Sequence, residues 1–306
     1  MKIFKNRGDI YFPKSTYKSS KETQILRVLL VFIVIFTVAF IVFLSQHYSS
    51  AADFFGKGEI TVTENEVQEE ILPEIEGKTN FLVFETDEDK TAINFIFLVQ
   101  ADKTNKAYKV CSLFRGMKID GKSLYDIYST GGGASLQTKL TEYLGIQIDY
   151  FAEFDTTSFN NFVTKLGTFI YPISEDIKFT GGKGDNKYTV HLNEGEQKID
   201  AQTLSNLIRY YSDEKKNYSA ENEIILYSLT RLFNADNYED CDSLFRLFIK
   251  SATTNVTVRN FENNKNALMV FCKANTSITL YSADTKYEGK TITQDSVKEI
   301  KGYFSK

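Results

Sequence analysis

AINFIFLVQADKTNKAYKVCSLFRGM, residues 92–117, holds two apolar runs either side of a polar turn, with one guanidinium, Arg115, where the second run ends. The runs are short and do not alternate strictly between apolar and polar, as in strands covered on both faces. NFLVFET, residues 80–86, has the same character. Three such strands predict a sheet with a layer on each side, and the segments that follow supply the layers. Leu136, Leu140, Tyr143 and Leu144 recur at helical spacing before Gly145, and Phe159, Phe162, Val163 and Leu166 before Gly167, each glycine placed to end its helix. IQIDYFAEFD between them predicts a strand. A third helix should open at Asp200, with Leu204, Leu207, Ile208 and Tyr211 on one face, a fourth after Ser219 and a fifth over 243–250. TNVTVRNF, ALMVFCKA and SITLYSAD near the end are strand-like. The expected fold is α/β: a mixed central sheet flanked by helices on both faces, in one domain over residues 79–306.

Composition narrows the function. The 306 residues are 42% hydrophobic and 25% charged, enough for a sizeable core. A net charge of −4, with both signs widely spread, leaves no electrostatic footprint for nucleic acid, so no such partner is expected. Only His47 and His191 are present, which argues against a histidine triad or a zinc site. Cys111, Cys241 and Cys272 have no metal-ligand spacing and suggest buried thiols, with pairing of Cys241 and Cys272 left open. Residues 25–44, ILRVLLVFIVIFTVAFIVFL, carry Arg27 as their sole charge and suffice to span a hydrocarbon core of roughly 30 Å. Six Lys or Arg and two acids precede this span, whereas one Lys and eight acids occupy 45–76. The positive-inside bias then gives a cytoplasmic tail at 1–24, a transmembrane helix at 25–44, an acidic stalk at 45–78 with a short strand near 59–62, and an extracytoplasmic domain beyond. The expected location is the cell membrane, with a single pass.

LNEGEQKIDAQTLSNLIRYY, residues 192–211, resembles the LytR-CpsA-Psr family pattern of Leu, Gly, Gln and an apolar residue leading into a helix that ends in an arginine motif. Leu192, Gly195, Gln197, Ile199, Gln202, Leu204 and Arg209 fit it. FLVFETD is similar to the family strand that delivers an aspartate, here Asp87, and KVCSLFRG to the strand that ends in Arg-Asp, here Arg115 followed by Gly116. The resemblance, to a divergent member, implies a membrane-anchored envelope protein of Gram-positive bacteria. Its partners would be a polyprenyl phosphate or pyrophosphate lipid, a cell-wall glycopolymer and the membrane. It further implies Arg115 and Arg209 as phosphate contacts, since a guanidinium fork matches phosphate oxygens. Asp87 would be a metal ligand, for a weakly held Mg²⁺, and an apolar tunnel would house the lipid, for which 25 Phe and 18 Tyr supply material.

The chain also departs from that pattern. Asn94 stands where the family has a second acidic metal ligand, and Ala92 where an arginine precedes it. Tyr211 replaces the second arginine of the helix motif, and Glu221 or a neighbour replaces a later one. Lys215, Lys216 and Arg231 are cations that could compensate in space. Three functions stay open: a glycopolymer phosphotransferase with Arg115, Arg209 and Asn94 in its site, a degenerate lipid- or glycan-binding module, and a structural envelope partner. On the residues alone, Arg115 could cap a strand and pair with an acid, Arg209 could be a solvated helix charge, and Asp87 could belong to an acidic turn. TGGKGDNKY, residues 180–188, lacks the ending and following helix of a phosphate loop and is expected to be a turn between strands.

Overall fold

The computed structural model describes residues 72–274 and 277–305. The apolar span at 25–44 and the stalk through residue 71 lie outside the described residues. No helix among the described residues is long and apolar enough to cross a membrane.

In chain order the main elements are β1 (Lys78–Thr86), β2 (Ile93–Asp102), β3 (Ala107–Ser112), α1 (Leu124–Leu144), β4 (Tyr150–Asp155), α2 (Thr156–Leu166), β5 (Phe169–Ile173), β6 (Ile177–Gly181) and β7 (Tyr188–Leu192). They continue with β8 (Gly195–Ile199), α3 (Ala201–Arg209), α4 (Tyr218–Leu232), α5 (Cys241–Ser251), β9 (Thr253–Thr254), α6 (Val258–Lys273), β10 (Thr279–Ser282) and α7 (Gln294–Phe304). The central sheet runs β9-β4-β1-β2-β3-β10. It is mixed: β1 pairs parallel with β4, and β3 with β10, while the other pairings are antiparallel.

Strand β2 shows why the runs lack alternation. Phe95, Phe97 and Val99 enter a core shared with Phe159, Leu204, Leu207 and Ile225, whereas Ile96 and Leu98 enter another with Leu136, Leu140 and Phe304. Both faces are therefore apolar. Asp155 and Asp200 cap α2 and α3 through bonds from Ser158 N and Thr203 N, which fixes where those helices begin.

Helix α1 starts earlier than its apolar spacing suggested, under a capping box at Ser123, and breaks at Gly131 and Gly132, the latter with φ +64°. A Cβ at Gly133 would meet the Phe151 ring at 2.5 Å, so that glycine serves close packing, whereas Gly132 serves the break in the helix. The tail departs further from expectation. ALMVFCKA lies in α6, not in a strand, and TNVTVRNF supplies only β9 before Thr257 caps that helix. An uninterrupted apolar run suits a buried helix as well as a strand, and here the helix prevails. SITLYSAD does contain β10. All three cysteines are free and buried.

Candidate functional site

The β1–β2 register pairs Glu85 with Phe95 and Thr86 with Ile93, so Asn94 is an extra residue in a bulge at the end of the sheet. Such a bulge re-aims a side chain. Here it turns the Asn94 amide onto Glu85, which alternation along β1 places on the α2–α3 side. Glu85 Oε1 accepts from Asn94 Nδ2 (2.9 Å) and Thr156 Oγ1 (2.9 Å), and Oε2 from Ser205 Oγ (2.9 Å). Burial pushes the Glu85 pKa up, and these bonds together with the Arg209 charge oppose the shift.

Ser205 and Arg209 are one turn apart on α3 and share its inward face. Arg209 is 4% exposed. Its Nη2 donates to Asn186 O (2.8 Å) and Asn186 Oδ1 (2.7 Å), and its Cζ stands 4.0 Å from the Tyr188 ring centroid. Its Nε is buried without a hydrogen-bond partner. Asn186 also donates to Asn94 Oδ1 (2.9 Å), so the β6–β7 hairpin, which contains TGGKGDNKY, closes over the cluster.

After Arg209 the chain widens into a π-helical segment, Tyr210–Lys215. Such segments redirect side chains. This one brings Asp213 to Arg115, whose Nε donates to Asp213 Oδ1 (2.5 Å) and whose Nη1 donates to Ile93 O (3.1 Å). The Arg115 side chain is 33% exposed. Burial raises the Asp213 pKa against the pull of Arg115 and Arg209, which weakens the ion pair. Beneath it Glu221 is wholly buried, and its pKa is driven well up by burial. The Ser112 and Ser212 hydroxyls lie against its carboxyl without reaching hydrogen-bonding geometry.

Arg115, Arg209 and Asn94 are therefore gathered at one end of the sheet. Asp87 is spent in its own turn, with Oδ1 accepting from Thr91 N (2.6 Å) and Ala92 N (3.0 Å) and Oδ2 from Thr91 Oγ1 (2.6 Å). Tyr211 has Glu175, Glu223 and Lys215 as its charged neighbours, not the arginines. Lys215 pairs with Glu175 (3.6 Å) and Arg231 lies over Tyr227, so neither stands in for a missing arginine. Among the described residues no group of three or more His, Cys, Asp or Glu side chains could hold a metal ion. The donor set agrees. Glu85 is surrounded by an amide, two hydroxyls and a guanidinium, an environment for an anion, and Asn94 has both amide atoms engaged. These residues do not fit Mg²⁺.

Sequence reasoning missed Glu85, Asp213 and Asn186. Glu85 alone left a signal, as a carboxylate within an otherwise apolar strand.

The curated protein MsrR of Staphylococcus aureus (strain COL), named a regulatory protein, is 27% identical over 146 residues, 45% of this chain and 43% of that protein. The match thus spans less than half of that relative's length. A crystal structure from Eubacterium siraeum DSM 15702 superposes with TM-score 0.64 at 15% identity, covering 81% of this chain and 98% of that one. TagV of B. subtilis gives TM-score 0.57 at 15% identity, covering 75% and 96%. TagT, in a structure bound to LI-WTA, gives 0.53 at 16% identity, covering 74% and 89%. At these identities the superpositions speak for the fold alone. The sequence itself matches the LytR_cpsA_psr family over residues 42–301, and the chain belongs to that family.

Proposed function

We propose that this protein binds a polyprenyl-phosphate-linked cell-wall glycopolymer at the Arg115 end of the sheet, as a binding module and not through metal-assisted transfer. Family membership and the TagT structure bound to LI-WTA support a glycopolymer as the ligand. The observation that carries the phosphate assignment is Arg115 itself. It is the more exposed of the two guanidinium groups, held by an aspartate whose burial already favours the neutral form, so an incoming phosphate can take over from Asp213. The spent Asp87 and the amide at Asn94 weigh against a transfer step that needs a divalent cation. Arg115→Ala in the full chain, in detergent, is expected to weaken binding of farnesyl phosphate by about 1.5 to 3 kcal/mol. Unchanged affinity measured by titration calorimetry would confine Arg115 to a structural pairing with Asp213.

The apolar span and the charge imbalance across it support a binding domain outside the cell membrane, with the N-terminus cytoplasmic. A phosphatase reporter active only after export, fused after Lys306, should be active in cells. An inactive phosphatase together with an active cytoplasmic reporter at the same position would reverse the topology.

A further inference from the structure

The innermost part of the site is already filled by a carboxyl group. The Glu85 carboxyl takes three hydrogen bonds from separate elements, from Asn94 on β2, Thr156 on α2 and Ser205 on α3, with the Arg209 charge beside them. Converging amide and hydroxyl donors near a buried guanidinium are the usual surroundings of a bound phosphoryl oxygen. In this chain they are spent on an internal group.

We infer that Glu85 is the specificity-determining residue of the site. Its carboxyl fills the inner position, occupies the donors there and leaves the outer position, at Arg115, for a single phosphoryl group and not for pyrophosphate. The inference rests on the phosphate-binding role proposed above. Both volume and the occupied hydrogen-bond donors support it. Glu85 is 0% exposed, so no second phosphoryl group fits beside it, and any that approached would meet a carboxyl drawing on the same donors. Asn186 closes the remaining approach by holding Arg209 Nη2 and Asn94 Oδ1. The ligand class is therefore a phosphomonoester or phosphodiester, whether carried on a polyprenyl lipid or on the glycan.

The full chain in detergent should be titrated with farnesyl phosphate, farnesyl pyrophosphate and a soluble sugar 1-phosphate. The unaltered protein is expected to bind the pyrophosphate no more tightly than the monophosphate, and retained affinity for the sugar phosphate would assign the glycan side as the source. Glu85→Ala should shift the preference toward pyrophosphate by about tenfold, because the vacated donors and Arg209 become available to the second phosphoryl group. Glu85→Gln, which keeps the volume, should leave the preference unchanged. A folded Glu85→Ala protein with no shift would overturn the inference while leaving the phosphate-binding role intact. If Glu85→Ala does not fold, the unaltered protein decides: pyrophosphate bound about tenfold more tightly than monophosphate overturns the inference. Absence of any phosphate binding would overturn both.

Discussion

Asn94→Asp is expected to destabilise the protein by about 3 kcal/mol or more at neutral pH and to create no Mg²⁺ site. The family pattern makes this substitution look like a repair, but the local geometry opposes it. Asn94 Nδ2 donates to Glu85 Oε1 at 2.9 Å, and both residues are wholly buried. An aspartate would aim a carboxylate oxygen at a carboxylate oxygen, and two such groups cannot both ionise in a dry pocket. One proton must be retained, and the bond to Thr156 is lost as well. The sign of the pH dependence follows: both carboxyls are protonated at low pH and one can donate to the other, so the deficit shrinks on acidification and grows toward neutrality. For a domain of this size the loss corresponds to roughly 6 to 12 °C in Tm. Equal Tm deficits at pH 4.5 and pH 7.5 would show that no carboxylate pair forms. Adding Tyr211→Arg would not help, because that side chain belongs to the neighbourhood of Glu175 and Glu223. An acid at position 94 can be accommodated only if Glu85 is removed with it.

The same residues mark how far sequence reaches. Apolar runs and helix-ending residues are local signals, so β1 to β3, the Asp200 cap and the helix ends at Gly145 and Gly167 were legible. ALMVFCKA was not, because a continuous apolar run has no period to separate helix from strand. Within the site, Arg115 and Arg209 were legible as charges but not as partners. Arg209 lies off the apolar stripe of Leu204, Leu207 and Ile208, and the hairpin at Asn186 and Tyr188 supplies its partners and completes its burial. That hairpin carries no apolar pattern pointing at Arg209. Asp213 reaches Arg115 through a π-helical widening, a departure from the 3.6-residue period on which side-chain placement is inferred. The surroundings of Glu85 were hidden for a different reason: its partners come from three elements that only the tertiary fold brings together.

Glu221→Gln is expected to stabilise the protein at neutral pH and to leave it unchanged in acid. Glu221 lies in the first turn of α4, where the helix dipole favours an ionised carboxylate, yet burial dominates and its pKa is driven well up. Its two oxygens have no hydrogen-bond partner, and Asp213, the charged neighbour that acts on it, pushes the pKa in the same direction. A carboxyl whose folded pKa exceeds its unfolded value contributes stability below the unfolded pKa, near 4.5, and loses that contribution as the pH rises through the folded value. Each pH unit in that window is worth about 1.4 kcal/mol. Glutamine keeps the shape, cannot ionise and can donate to the Ser112 and Ser212 hydroxyls, so the advantage of the variant should open above the ordinary carboxylate range and widen with pH. Glu85 and Asp213 are raised by burial too and titrate in both proteins, so the difference between the two Tm profiles isolates Glu221. A Tm difference that stays constant from pH 4 to pH 8 would mean that Glu221 does not change its protonation on unfolding. The resemblance would put an arginine near this position. A buried acid there supplies no positive charge to a phosphate, and it leaves Arg115 as the ion-pair partner of Asp213 at the mouth of the site, where a single phosphoryl group can replace the aspartate.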